Sequence, residues 1–366
     1  MKSNLTMPSR NPNASARAAT PAHATTHAFA LAIALVMLLG ALLLSACAAK
    51  TDEALDVRFL LLPHFEQGQL SGDAVGEAQL LYEEFLLDDA QTYDIQGGFT
   101  LYYSPKNEVA LCLTGAGKTN AASCLTSVLG DERFDFDETY LIAIGCAGGA
   151  IETTTLGDVC LATGVCDLDL GHTADARDLT DDTTKWFHDP SYDGTGYKHL
   201  NTDLMESLYE QVKDITLETT EIARKTMASN FDDAEWATRD PQVLLGTNGT
   251  SDNYWKGTYD HSKACAVCDY YDMDYPFTMS EMEDSALASV ADNFGMLDRF
   301  ITIRASVNVD VFINGDTPET LWGDSAGFLE ESKEENEETL DIFEPAMRNL
   351  HKVCVRVMEI LGDNAA

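Results

Sequence analysis

Short apolar runs recur along the chain, separated by stretches whose apolar positions return every three or four residues. Val57–Pro63 (VRFLLLP) is apolar almost throughout, the pattern of a strand covered on both faces. Phe99–Ser104 and Val109–Thr114 read as neighbouring strands. Tyr140–Ile144 reads as another buried strand, ending in Gly145-Cys146-Ala147-Gly148-Gly149, and Asp158–Thr163 and Phe300–Arg304 as two more. Gln79–Leu87 and Lys118–Leu129 have helical spacing. Leu204, Leu208, Val212 and Ile215 fall on one face of an amphipathic helix, and Met282–Phe294 forms a second. Met347, Leu350, Cys354, Val357 and Leu361 step by three and four, which predicts a C-terminal helix. Residues 171–200 read as a polar surface excursion, and Glu330–Glu338 as an acidic, solvated connection. Strands alternating with helices predict an α/β fold with a parallel or mixed central sheet covered by helices. No internal repeat and no Pro/Ser-rich linker interrupts residues 57–328, so 57–366 is expected to be a single domain.

Charge narrows the function. Sixty-one acidic residues face 23 basic ones, a formal net charge of −38 and a pI near 4.2. Nucleic acid and anionic headgroups require a positive footprint, so neither is expected as a partner. The first 27 residues carry Lys2, Arg10 and Arg17 and no acid. Ala28–Ala46 is then apolar or small throughout and leads to Leu44-Ser45-Ala46-Cys47. A basic region, an apolar stretch and small residues at a cut describe an export signal. Leu-Ser-Ala-Cys resembles the lipobox of bacterial lipoproteins, in which the Cys is acylated. The expectation is therefore an export signal over 1–47, lipidation at Cys47, a tether over 48–56, and a body on the extracytoplasmic face of the cell membrane. An uncleaved anchor helix is the alternative, since the apolar run nearly reaches the ~20 residues needed to span a bilayer.

Eight cysteines remain after Cys47. Cys112, Cys124, Cys146 and Cys354 lie in apolar context and read as core residues. Cys160/Cys166 and Cys265/Cys268 are local pairs that could be disulfides outside the membrane. Cys265-x-x-Cys268 also matches a zinc half-site or a redox motif, but no second Cys-x-x-Cys or paired His completes a zinc site. No metal or cofactor is expected; the Asp269–Asp274 acids lack calcium-loop spacing. Gly115-Ala116-Gly117-Lys118-Thr119 invites a phosphate-loop reading. That motif needs a glycine five residues before Gly117, where Cys112 stands. The loop instead suits close approach of backbone to a polar ligand at a helix start. With the second glycine cluster leaving the next strong strand, it lines one pocket at the carboxyl ends of the strands.

At this point the residues resemble a known family. GAGKTNAA, then GCAGG, then Leu156-Gly157-Asp158-Val159 are similar to the nucleoside phosphorylase and nucleosidase superfamily. FDFDETYLIAIGCAGGAIETTTLGDV, DLDLGHTADARDL, LLGTNGTSDNYWKG, FTMSEMEDSALASV and ITIRASVNVD resemble, within it, the purine nucleoside permeases. The resemblance covers about residues 57–328. It implies a three-layer α/β/α fold around a twisted, mixed sheet, nucleoside phosphorylase-like, and a purine nucleoside as ligand. The backbone at Gly115, Gly117, Gly145, Ala147 and Gly148, with Asn120, would line the pocket. Met282 and Glu283 match the pair that holds ribose, Glu283 accepting from the 2′- and 3′-hydroxyls. Tyr254 stands where an aromatic residue stacks on the base, with Trp255 as runner-up. Asn308 stands where the superfamily meets purine N7; as an amide it supports a departing purine without ionising. Met282 and Glu283 also read as ordinary helix-start residues, and Asn308 as a turn residue.

Two departures shape the expected chemistry. Phosphorolytic members carry an arginine just before the glycine cluster; here Ala143-Ile144 stand there and no arginine is near, which points towards water as acceptor. In Pro63–Leu70 (PHFEQGQL), Glu66 is the candidate for orienting that water, with Glu77 as competitor. His172 and Arg177 lie in a family-like segment without assigned chemistry. The functional expectation is a lipid-anchored protein that recognises purine nucleosides and feeds their uptake through a membrane partner. One apolar segment cannot form a path through a bilayer. The alternative is an extracytoplasmic nucleosidase that hydrolyses the N-glycosidic bond, a phosphorylase being less favoured.

Overall fold

A computed structural model describes residues 54–173, 186–187, 192, 194–232, 234–313, 316 and 336–363. In chain order the strands are β1 (Leu55–Asp56), β2 (Phe59–Leu62), β3 (Gln91–Ile95), β4 (Phe99–Ser104), β5 (Val109–Cys112), β6 (Phe134–Asp135), β7 (Tyr140–Gly149), β8 (Val159–Asp167), β9 (His172–Thr173), β10 (Trp186–Phe187), β11 (Tyr197–His199), β12 (Val243–Thr250), β13 (Phe277–Glu281) and β14 (Phe300–Val309). The α-helices are α1 (Gln79–Phe85), α2 (Lys118–Leu129), α3 (Thr202–Val212), α4 (Glu221–Asn230), α5 (Glu235–Thr238), α6 (Thr258–Tyr270), α7 (Asp284–Asn293) and α8 (Asn336–Asp363).

Ten of the strands form one mixed sheet in the order β11-β8-β12-β13-β7-β2-β5-β4-β3, with β14 pairing β7 and β8 off that path. β7 is its axis. It runs parallel to β2 and β14 and antiparallel to β13. The unbroken apolar run of β2 follows from this position, because both faces are covered. Phe59 and Leu61 point into a cluster with Leu81, Leu208, Leu350, Val353 and Val357 from α1, α3 and α8. Leu60 and Leu62 point into the opposite cluster, with Cys124, Leu125, Leu287 and Ala291 from α2 and α7. The period-two alternation of the strand thus feeds two helical layers, and the fold is three-layer α/β/α, as expected.

Several elements differ from the sequence expectation. β7 does not end at Ile144 but runs through the whole glycine cluster to Gly149, and β14 runs to Val309 rather than Arg304. β7 and β14 stay paired from Leu141↔Phe300 to Gly149↔Val309. Helix α7 opens at Asp284, leaving Met282 and Glu283 in the turn before it. The polar stretch 171–200 contributes β9, β10 and β11, the last closing the sheet against β8. Residues 336–338 of the expected acidic connection belong to α8, and 330–335 lie outside the described residues, as do Cys47 and Arg177. All eight described cysteines are thiols, so neither Cys160/Cys166 nor Cys265/Cys268 is a disulfide here.

Candidate functional site

The site is built where the carboxyl ends of β2 and β13 reach the middle of the paired strands β7 and β14. Arg304 on β14 is 1% exposed yet surrounded by carboxylates. Its Nη2 donates to Asp284 Oδ1 at 2.5 Å, to Glu281 Oε2 at 3.2 Å and to Glu283 Oε2 at 3.3 Å. Each acid has a second tie to the fold. Asp284 Oδ2 accepts from Thr302 Oγ1 at 2.6 Å and Asn248 Nδ2 at 2.8 Å. Glu281 Oε2 accepts the backbone N–H groups of Glu283 (2.6 Å) and Asp284 (2.7 Å), and so caps the start of α7. Thr250 donates its hydroxyl to Glu281 Oε1. Burial pushes Glu281 up to about 8, the Asp284 charge adds to it, and Arg304 opposes both. Burial also raises Glu283, against the pull of Arg304 and of the Gly117 N–H. Burial alone would lower Arg304, but Asp284, Glu281 and Glu283 together hold it charged.

Three elements reach this cluster from the other half of the sheet. Gly117, with φ of 88°, turns the chain off β5 and donates its N–H to Glu283 Oε1 at 2.9 Å. Such a φ favours glycine. His64, following β2, donates from Nδ1 to Thr114 Oγ1 at 2.7 Å, the Thr114 hydroxyl itself donating to Gly115 O. That leaves the lone pair on His64 Nε2, which makes no hydrogen bond and lies 3.6 Å from Glu283 Oε2. Burial, then the Arg304 charge, keep this imidazole neutral. Glu77 is the third. Its Oε1 accepts from Cys146 N at 2.8 Å and its Oε2 from His64 N at 2.8 Å and Phe65 N at 3.3 Å. Burial raises it to about 7, Arg304 and the Cys146 N–H pulling down and Glu283 pushing up.

The glycines inside β7 follow from this crowding. A Cβ on Gly145 would stand 2.6 Å from Glu77 Oε1 and 2.7 Å from Arg304 Nη1; one on Gly148 would stand 2.8 Å from Asn308 Oδ1. The cluster is therefore not a strand exit but a stretch of strand bare of side chains at Gly145, Gly148 and Gly149, over which site residues lie. At that end Asn308 Nδ2 donates to Tyr254 Oη at 2.8 Å, joining the two residues expected at a base across 54 positions of sequence. Tyr254 is half-exposed, whereas Trp255 packs on Phe277 with ring centroids 6.4 Å apart. Register links base end and acid end: Gly148 pairs with Asn308 on β14 and with Ser280, next to Glu281, on β13.

The remaining expected residues fall as follows. Gly115 donates its N–H to His64 O at 3.1 Å, Ala147 is buried in β7, and Met282 is partly buried beside Glu283. Asn120 is exposed and folds its amide onto Ala116 O at 2.7 Å, within its own loop. Glu66 faces the start of α1 rather than the acid cluster: Oε2 accepts from Ala78 N and Gln79 N, and Oε1 from Gln67 N. Its competitor Glu77 is the acid that meets Arg304 and Cys146. The expectation of no arginine near the glycine cluster is corrected. None precedes it in sequence, but Arg304 is the register partner of Gly145 on the neighbouring strand. A lone arginine in the apolar FITIR run was the signal for it, as an unpaired buried guanidinium is not tolerated. No group of three or more potential metal ligands occurs among the described residues.

Comparisons with known proteins agree with this architecture. Residues 56–364 match the purine nucleoside permease (NUP) family. A probable purine nucleoside permease of Schizosaccharomyces pombe is 32% identical over 164 residues, 40% of this chain and 47% of that protein, so the chain spans about half the length of the curated relative it matches. Among solved structures, the 5′-methylthioadenosine/S-adenosylhomocysteine nucleosidase of S. pneumoniae is similar in fold, with a TM-score of 0.51 and 16% identity over 83% of this chain and 100% of the other. The Helicobacter pylori nucleosidase of the same kind aligns with a TM-score of 0.51 and 13% identity, covering 83% and 98%. Its sequence match from end to end of the folded body makes the chain a member of the purine nucleoside permease family.

Proposed function

We propose that the protein binds a purine nucleoside outside the cytoplasmic membrane, with ribose against Glu283 and the base between Tyr254 and Asn308. The observation that carries this reading is the pairing of unused capacity at one end with an open aromatic at the other. His64 Nε2 lacks a hydrogen bond and faces the Glu283 carboxylate, so two ribose hydroxyls can each donate into that corner. Tyr254 and Asn308 stand together and reach solvent. The experiment is calorimetry of the purified full chain with inosine, guanosine and adenosine. Glu283→Gln removes charge and acceptor capacity. Hydrogen bonds to charged groups contribute about 1.5–3 kcal/mol, so nucleoside affinity falls roughly tenfold or more, while free purine base, lacking ribose, is little affected. Equal loss for base and nucleoside would place Glu283 in the fold rather than on the ligand.

Hydrolysis of the bound nucleoside is a second reading, favoured by Glu77. A carboxyl raised to about 7 beside Arg304 is matched to taking a proton from water near neutrality. Arg304 is already engaged by three acids, which favours water over phosphate as acceptor.

The extracytoplasmic setting and lipid anchor rest on Leu44–Cys47. No helix among the described residues is long and apolar enough to cross a membrane, and uptake in this reading passes through a separate transporter. Cys47→Ser, followed by fractionation of cells, is expected to leave an unprocessed, unacylated form. Identical processing and membrane retention of both forms would make residues 28–46 an ordinary anchor.

A further inference from the structure

Helix α6 carries a second cluster of reactive side chains that the nucleoside site does not use. His261 and Cys265 are four residues apart and so share a face of the helix. Cys265 Sγ lies 3.6 Å from His261 Nε2, and His261 Nδ1 lies 2.7 Å from Asp310 Oδ2. Asp310 follows β14 and is 1% exposed. It is fixed by its own N–H donating to Gly149 O at 3.0 Å and by Ile151 N donating to its Oδ1 at 3.3 Å. The carboxylate therefore orients the imidazole, with Nδ1–H towards Asp310 and Nε2 towards sulfur. This is the order of groups that activates a cysteine nucleophile. Burial by itself lowers His261, but the hydrogen bond to Asp310, and then that to Cys265, raise it to about 10. Both Cys265 and His261 are only partly buried, at the edge of an apolar cluster containing Trp255 and Phe277.

We propose that Cys265 is a nucleophilic thiol, activated by the His261–Asp310 pair, that hydroperoxides oxidise to a sulfenic acid. The thiol proton leaves to solvent, His261 being already an imidazolium whose Nε2–H faces the sulfur. The thiolate attacks the distal oxygen of the hydroperoxide, the O–O bond breaks, and an S–O bond forms. The departing alkoxide or hydroxide takes the proton from His261 and leaves as alcohol or water. Sulfur loses two electrons and the peroxide gains them. Cys268, three residues along the same helix, and Cys166, buried in the same apolar cluster, supply further thiols for a disulfide, which favours redox chemistry over acyl transfer. The assignment is independent of what the nucleoside site does.

The test exposes the full chain to hydrogen peroxide at pH 6.5 with dimedone as sulfenic-acid trap and follows each cysteine by peptide mass spectrometry. Cys146 is the internal reference, being also partly buried but with a thiol pushed up by burial and by Glu77. Cys265 is expected to label at least about tenfold faster than Cys146, and His261→Gln to remove that advantage while Cys146 is unchanged. Cys265→Ser should abolish the fast phase altogether, which keeps the test open if His261→Gln melts too low to use. Equal rates at Cys265 and Cys146, an undiminished rate in His261→Gln, or a fast phase surviving in Cys265→Ser would each overturn the assignment.

Discussion

Arg304→Met is expected to lower stability at pH 8 by about 3–5 kcal/mol, the usual cost of removing one partner from a buried ion cluster. The guanidinium faces Asp284, Glu281 and Glu283 within 3.3 Å, and none of these acids has another cation as partner among the hydrogen bonds described above. The effect should depend on pH with a definite sign. Glu281 at about 8, Glu77 at about 7 and Glu283, also raised, hold protons in the folded state that the unfolded chain releases near 4.5. The stability associated with these groups is fully present below about 4.5 and is lost as pH rises through about 7 to 8. Arg304 pulls all three downward, so its removal drives them further up and steepens that loss. Melting of wild type and Arg304→Met at pH 5 and pH 8 measures both. His261, raised by Asp310, titrates alike in the two proteins and drops out of the difference. Arg304→Lys keeps the charge but not the fork, and should fall between them. A Met variant that melts like wild type at pH 8 would show that the cluster does not close around Arg304.

The same arginine shows what was legible in the sequence and what was not. Phe59–Leu62 announced a strand buried on two faces because four consecutive apolar residues have no other economical place in an α/β fold. β12 and β13 gave no such signal. Their Asn248, Thr250 and Glu281 are buried, but they are polar residues satisfied by partners from other elements, and hydrophobicity cannot register that. Helix α6 has little amphipathic character and was missed for a related reason, since its polar His261 faces inward to Asp310. Within the site, Gly117, Glu283, Tyr254 and Asn308 were readable one by one from motif resemblance. Their contacts were not, because the Gly117–Glu283 bond spans 166 residues and is set by sheet order. Arg304 comes to Gly145 through strand register, which adjacency in sequence does not encode. Glu66 and Glu77 looked alike on paper. The choice between them depends on a loop that turns Glu66 onto the start of α1 and Glu77 onto β7.

Glu77→Gln is expected to reduce release of free purine base by about 10²–10⁴-fold if the chain hydrolyses nucleosides, the range contributed by a positioned general base. Nucleoside binding should change far less, because Glu283, Tyr254 and Asn308 are untouched. Glu77 is suited to the role by position as well as by proton affinity: it lies under Gly145, where a Cβ would stand 2.6 Å from its Oε1, and it shares that space with Arg304. With the carboxyl at about 7, the wild-type rate should rise between pH 6 and pH 8 as the base form accumulates. The Gln variant should lose that limb of the profile along with the rate. A purely structural role for Glu77 predicts something else, a lower melting temperature with the same pH limb in whatever activity remains. The Gln side chain keeps one acceptor for the N–H groups of His64, Phe65 and Cys146 but turns a donor towards the others, so some loss of stability is expected in either case. The pH profile is therefore the deciding measurement. Base release from inosine, guanosine or adenosine within a few-fold of wild type would remove Glu77 from the chemistry, and a wild-type protein that binds nucleosides without releasing base would leave recognition as the whole function of the site.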